Sequence, residues 1–318
     1  MKLTRLMLAA AYTAILPISA KAQDNQGLQI RGVTQIDTTV KLDRGGAVDL
    51  SLISGKIRVT GWDRPDVKVS ASIESGILRF DANSSRVSLS VEESDDSGRH
   101  RRHDVGDARY DVSVPRGSRL ILEAVSGDII AVGSQGEIEA TSVSGDVDVA
   151  NGVREVSAEA VSGSVHAAHI NGNLRAETVS GDVRVESVTG NVQATSVSGN
   201  VRLVGAQSTD VRTETVSGDI VYSGSIDAGG KYSFESHSGT LRLNIPKGAG
   251  ARFSIETFSG DVSTDFPVTV VPVGTGRRRE GRMDFTTGDG RARVTAQTFS
   301  GEIVINSGSD STTRRDDE

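Results

Sequence analysis

The sequence predicts an all-β chain folded as a single-chain parallel β-helix, or β-solenoid, with turns of about eighteen residues. Three observations lead there. Val125-Ser126-Gly127-Asp128-Ile129 recurs as Val143-Ser144-Gly145-Asp146-Val147, Val161-Ser162-Gly163-Ser164-Val165, Val179-Ser180-Gly181-Asp182-Val183 and Val197-Ser198-Gly199-Asn200-Val201, so the glycines step by eighteen. Between the Ser-Gly pairs polar and apolar residues alternate, as in Glu137-Ile138-Glu139-Ala140, the pattern of strands with one buried face. Beyond the first residues no stretch repeats apolar side chains at helical spacing, and 36 glycines against 12 aromatics leave small residues to fill the core.

Residues 1–22 read as a signal peptide. Lys2 and Arg5 precede an apolar run from Leu6 to Ile18, and Ala20-Lys21-Ala22 has the Ala-x-Ala pattern, with cleavage expected before Gln23. The run is too short for a bilayer and no second candidate follows, so no membrane span is expected. The expected location is exported, periplasmic or extracellular. Cleavage removes three cations and no anion, leaving 32 basic against 42 acidic side chains, a charge of −10 that argues against nucleic acid as a partner. With no cysteine, disulfides and thiolate metal sites are excluded.

Residues 23–122 are expected to form an N-terminal β region and solenoid cap of irregular strands, such as Val67, Val69, Ala71 and Ile73 on one face. An early copy, Ile53-Ser54-Gly55-Lys56-Ile57, ties this region to the repeat. Solenoids need covered ends, and Trp62 is expected to pack over one.

Residues 123–306 carry the repeats. Stacking them in register gives core columns: Ile129, Val147, Val165, Val183, Val201; then Ile138, Val156, Leu174, Val192; then Ala140, Ala158, Ala176, Ala194. Gly136, Gly172 and Gly190 fall midway, so each turn has two similar halves. Later copies around Gly218, Gly239, Gly260 and Gly301 are spaced unevenly, which predicts wider turns at the C-terminal end, filled by Tyr232, Phe234, Phe253 and Phe258. Pro115-Arg116-Gly117 and Pro246-Lys247-Gly248 read as turns between strands, and residues 307–318 as a disordered tail.

The recurring Ser-Gly is expected to serve the corner: glycine for positive φ, the serine hydroxyl for local backbone groups. The following column reads Asp128, Asp146, Ser164, Asp182, Asn200, Asp219; neutral residues interrupt the carboxylates, which argues against a calcium ladder. His100 and His103 lie among arginines, His166 shares an outward column with Asp148 and Arg184, and His169 falls at a turn, so none has a metal site's recurring partner. No nucleophile elbow, phosphate loop or His-Glu-x-x-His motif occurs. No catalytic, cofactor or metal residue is therefore expected. Arg99 to Arg102 and Arg277-Arg278-Arg279 form basic segments in two charged loops, residues 92–108 and 273–290.

The repeated Val-Ser-Gly-Asp-Val, Gly61-Trp62-Asp63-Arg64, Val114-Pro115-Arg116-Gly117, and Asp261-Val262 leading into Asp265-Phe266-Pro267 together resemble the bacterial DUF4097 family. Its domain carries the label putative adhesin. The resemblance covers nearly all of the expected mature chain, implies a β-solenoid at the cell envelope and supplies no catalytic residues. The expected function is a non-catalytic, adhesin-like binding module whose partner is an extracellular or envelope polymer or protein. A structural spacer and a polysaccharide-degrading β-helix enzyme are the alternatives.

Overall fold

The computed structural model describes residues 28–92, 105–267 and 281–308. The leader, His100, His103, both arginine runs and the tail from 309 lie outside them. Among the described residues there are 25 strands and no helix, hence none long and apolar enough to cross a membrane. Each eighteen-residue turn contributes two strands, which stack into two parallel files. One file runs through Val147–Ala150, Val165–Asn171, Val183–Thr189 and Val201–Ala206; the other through Ile138–Ser142, Val156–Ala160, Leu174–Thr178 and Val192–Ser198. Val147 pairs with Val165, Val165 with Val183 and Val183 with Val201; Ala140, Ala158, Ala176 and Ala194 stack likewise. All are buried, so the alternating pattern becomes a core between the files with polar columns outside.

The two files join through long strands that pass the corner and pair in both. Ala47–Trp62 lies in register beside Arg119–Val132, with Ser54-Gly55 opposite Ser126-Gly127. The N-terminal cover is two antiparallel extensions: Ala108–Pro115, Asp66–Ile73 and Gln35–Lys41 on one file, and Arg86–Glu92, Ile77–Ala82 and Leu28–Val33 on the other. Trp62 does not cap the core. Its strand is followed outward by three more, and its half-buried indole donates to the Asp66 carbonyl (2.7 Å) beneath the Arg64 guanidinium, clamping a surface turn. Both Pro-basic-Gly segments are turns, closed by Ser118 N–H to Pro115 O and Ala249 N–H to Pro246 O, each 3.0 Å.

At the C-terminal end the stacking order departs from chain order. Ala292–Ser300 and Ile303–Gly308 insert between Lys231–Ser238 with Leu241–Pro246 and Ala251–Ser259 with Val262–Thr264. Side-chain size accounts for it. The inserted strand carries Ala292, Val294 and Ala296, which match the small residues of regular turns, whereas the outer one carries Phe253, stacked on Phe285 (4.5 Å) and near Phe266 (6.1 Å) to close the end.

The Ser-Gly corner works differently from its sequence reading. Among the glycines of this file only Gly55, Gly239, Gly260 and Gly301 have positive φ. The common constraint is close approach: a Cβ on Gly163 would lie 2.1 Å from the Gly145 carbonyl oxygen, and one on Gly181 2.1 Å from that of Gly163. The hydroxyl that serves the corner is three residues earlier and buried. Ser142, Thr178 and Ser196 donate to the carbonyls of Gly127, Gly163 and Gly181 in the preceding turn, at 2.9, 2.7 and 2.9 Å. Thr178→Val keeps the shape and strands that carbonyl; a loss of about 1 to 2 kcal/mol is expected in urea denaturation. Left-handed backbone belongs to the opposite corner, where Gly133, Asn151, His169, Ser187 and Gly205 form a file at φ between 55° and 74°.

The Asp column is a backbone ladder. Asp146, Asp182 and Asp219 accept the N–H of Ser164, Asn200 and Thr240 in the next turn, each at 2.8 Å, and Asn200 does the same for Asp219 at 2.9 Å. An amide oxygen accepts as a carboxylate does, so Asp182→Asn is expected to leave stability within about 0.5 kcal/mol while Asp182→Ala loses about 1 kcal/mol. Added calcium is expected to leave both urea midpoints where they are.

The wide C-terminal turns hold Tyr222 against Phe234 (5.0 Å) and Tyr232 (6.2 Å), and Tyr110 lies buried near the N-terminal end. Their hydroxyls donate to the carbonyls of Ser225, Ser208 and Ser51 for Tyr222, Tyr232 and Tyr110. Burial pushes all three phenols above their ordinary value. A raised folded pKa gives stability that is complete below pH about 10 and falls as pH rises beyond it, because only the unfolded chain ionises readily there. Urea midpoints are therefore expected to drop above pH about 10, with tyrosinate absorbance appearing only on unfolding.

Candidate functional site: a groove along the valine ridge

The residue before each Ser-Gly stands outside the core. Every such valine from Val125 to Val216 is 41–50% exposed, and in the glycine file they form a ridge one strand spacing, about 4.8 Å, per turn. A β-branched residue suits the extended backbone entering the corner, which explains valine without explaining a ligand. The C-terminal end departs from that rule. There the ridge continues as His237, Phe299 and Phe258, three parallel rings with centroids 4.9 and 4.8 Å apart. Phe258 is 76% exposed. It does not fill a wide turn as expected; it points outward because it occupies the ridge position of its repeat.

Beside these rings lies an open groove of about 790 Å³, floored by Ser196, Thr215, Ser236, Thr257 and Thr298 and walled by a carboxylate stripe two residues before the ridge. In that stripe Glu214 pairs with Glu235, Glu235 with Gln297, Gln297 with Glu256 and Glu256 with Arg282 across adjacent strands. Arg212 binds Glu214, and Arg282 turns to Asp284 (2.9 Å), holding that carboxyl below the usual range. Among the described residues Glu235 accepts from Ser233 Oγ (3.0 Å), and Glu235 and Glu256 feel Arg212 and Arg282 at longer range without forming a close ion pair.

The sequence signal for this site was the change of Val to His and Phe at one position of the repeat. The other two described histidines fall where the repeat places them. His166 faces outward between Asp148 and Arg184, with its Nδ1 3.4 Å from Asp148, and His169 holds φ 55° at the left-handed corner. The hydrogen bond from Arg184 keeps Glu186 beside them below the ordinary carboxylate range. Among the described residues no group of three His, Asp or Glu side chains is gathered for a metal ion.

The family profile described as Toastrack DUF4097 matches residues 111–306, which includes the regular turns, the stacked rings and the groove. The chain belongs to the Toastrack DUF4097 family. The Toastrack match ends within the last strand, Ile303–Gly308. Two solved structures are similar to it. A putative cell adhesion protein from Clostridium sporogenes is 12% identical over 86% of this chain and 99% of its own, with a TM-score of 0.24. A putative adhesin from Bacteroides fragilis is 12% identical over 85% of this chain and 96% of its own, with a TM-score of 0.32. No curated protein matches this Toastrack chain.

Proposed function

We propose that this Toastrack protein is an exported, non-catalytic, adhesin-like binding module of the cell envelope, acting without metal or organic cofactor. The observation that carries the reading is the exposed ring stack beside the groove: an apolar surface on a rigid stack of strands, where the ridge exchanges its β-branched aliphatic residues for rings. Buried hydroxyls and glycine carbonyls hold the groove floor in place, so binding needs little ordering of the protein. Catalysis calls for a unique constellation, whereas the carboxylates here recur from turn to turn. The test is a glycan-array and pull-down screen of the purified protein with a parallel assay for shortening of envelope polysaccharides. Retention of a partner unchanged, lost on Phe258→Ala, is the expected result. Product formation abolished by one carboxylate substitution overturns it in favour of an enzyme, and silence in every arm overturns it in favour of a spacer.

A further inference from the structure

We infer that the groove takes an extended basic polypeptide segment, whose lysine or arginine stems lie along the valine and phenylalanine ridge and whose cations meet Glu235 and Glu256; this rests on the groove being the binding surface. Charge selects the occupant. The ridge runs between two acidic lines, the glutamate stripe two residues before it and the aspartate ladder three residues after it. An anionic polymer laid on the ridge would meet carboxylates on both sides. A second copy joined through the same ridge would bring carboxylates against carboxylates at most turns, so the apolar match would be opposed.

Within the groove the charges are unequal. Further up the stripe Arg175 lies 2.8 Å from Glu177 and 3.7 Å from Glu159, and Arg212 binds Glu214. Glu235 and Glu256 make no such pair among the described residues, though Arg282 sits directly across from Glu256 and is drawn off by Asp284. Two half-buried carboxylates thus flank Gln297 opposite the rings of His237, Phe299 and Phe258. Lysine and arginine fit that pairing, since each joins an apolar stem to a cationic head and arginine also stacks on ring faces. Phe258, the last ring of the stack among the described residues and 76% exposed, is where such stacking is available.

The experiment is a fluorescence-anisotropy titration of the purified protein with a labelled peptide alternating lysine and leucine. An equal-length glutamate-leucine peptide and a neutral β-1,4-linked N-acetylglucosamine oligomer are the comparison probes. The basic peptide is expected to bind and to weaken as salt rises from about 0.05 to about 0.5 M. Glu235→Gln with Glu256→Gln is expected to weaken it about tenfold, and Phe258→Ala to weaken it as well. Asp37→Asn with Asp43→Asn, exposed carboxylates at the far end of the stack, should leave it unchanged and so separates groove binding from general attraction to an acidic protein. Equal loss in both double variants, equal binding of the acidic peptide, or no effect of the groove variants overturns the inference. A neutral oligomer bound and released by Phe258→Ala, with no hold on the basic peptide, overturns the basic partner and leaves the groove as a binding surface. Failure of all three probes overturns both.

Discussion

Gly181→Ala should break the stack in its middle, lowering stability by about 4 kcal/mol or more. The added Cβ would sit 2.1 Å from the Gly163 carbonyl oxygen and 2.6 Å from its carbon, both backbone atoms that no rotamer change can move. Relief requires the two turns to separate along the axis, and that pulls at once on the Val165–Val183 pairing and on the Thr178 hydrogen bond to the Gly163 carbonyl. Because each turn is held only by its neighbours, the loss cannot be spread over a distant core. Two controls share the chemistry of the substitution without the obstruction. Gly117 and Gly248 have nothing within 4 Å of a built Cβ and no positive φ, so their alanine variants are expected to match or slightly exceed the parent. Urea denaturation and hydrogen exchange of the turns around residue 181 check the contrast. Equal midpoints for Gly181→Ala and Gly117→Ala would show that stacking distance is not what keeps glycine at the corner.

The period-eighteen spacing was legible because it is local and repeated: Val147, Val165, Val183 and Val201 can be placed in one column by counting, and the strands pair in that register. What counting cannot supply is the order in which distant turns meet. That Gly301 lies between Gly239 and Gly260 depends on Phe253, Phe266 and Phe285 gathering at the outer end, contacts made across chain separations of up to 32 residues. The corner glycines were found but their cause was misplaced, since a close backbone approach from the neighbouring turn leaves no mark beyond the glycine itself. The groove was hidden for a related reason. Phe258 and Phe253 look alike in the sequence, and only the ridge register separates the exposed ring from the buried one.

A contrast within one repeat tests the two faces most severely. Val183 is wholly buried between Val165 and Val201, and Val179, four residues earlier, stands 45% exposed on the ridge. Val183→Asp places a carboxylate among apolar side chains with no donor in reach, and at neutral pH a loss of about 5 kcal/mol or more is expected, enough to unfold its part of the stack. Val179→Asp gives up ridge contacts and strand preference and meets solvent-screened repulsion from Glu177 and Asp182, about 1 kcal/mol. The pH dependence separates buried charge from lost packing. Burial raises the folded pKa of the new aspartate above its unfolded value near 4, so its charge penalty is complete at pH 7 and shrinks as pH falls toward about 4, where the unfolded chain also takes up a proton. Relative to the parent, Val183→Asp should therefore regain several times more stability on acidification than Val179→Asp, whose exposed carboxylate feels its acidic neighbours only through solvent. Parallel urea midpoints at pH 7 and pH 4 measure it, and a Val183→Asp deficit that stays constant between them would place the cause in packing volume instead of charge.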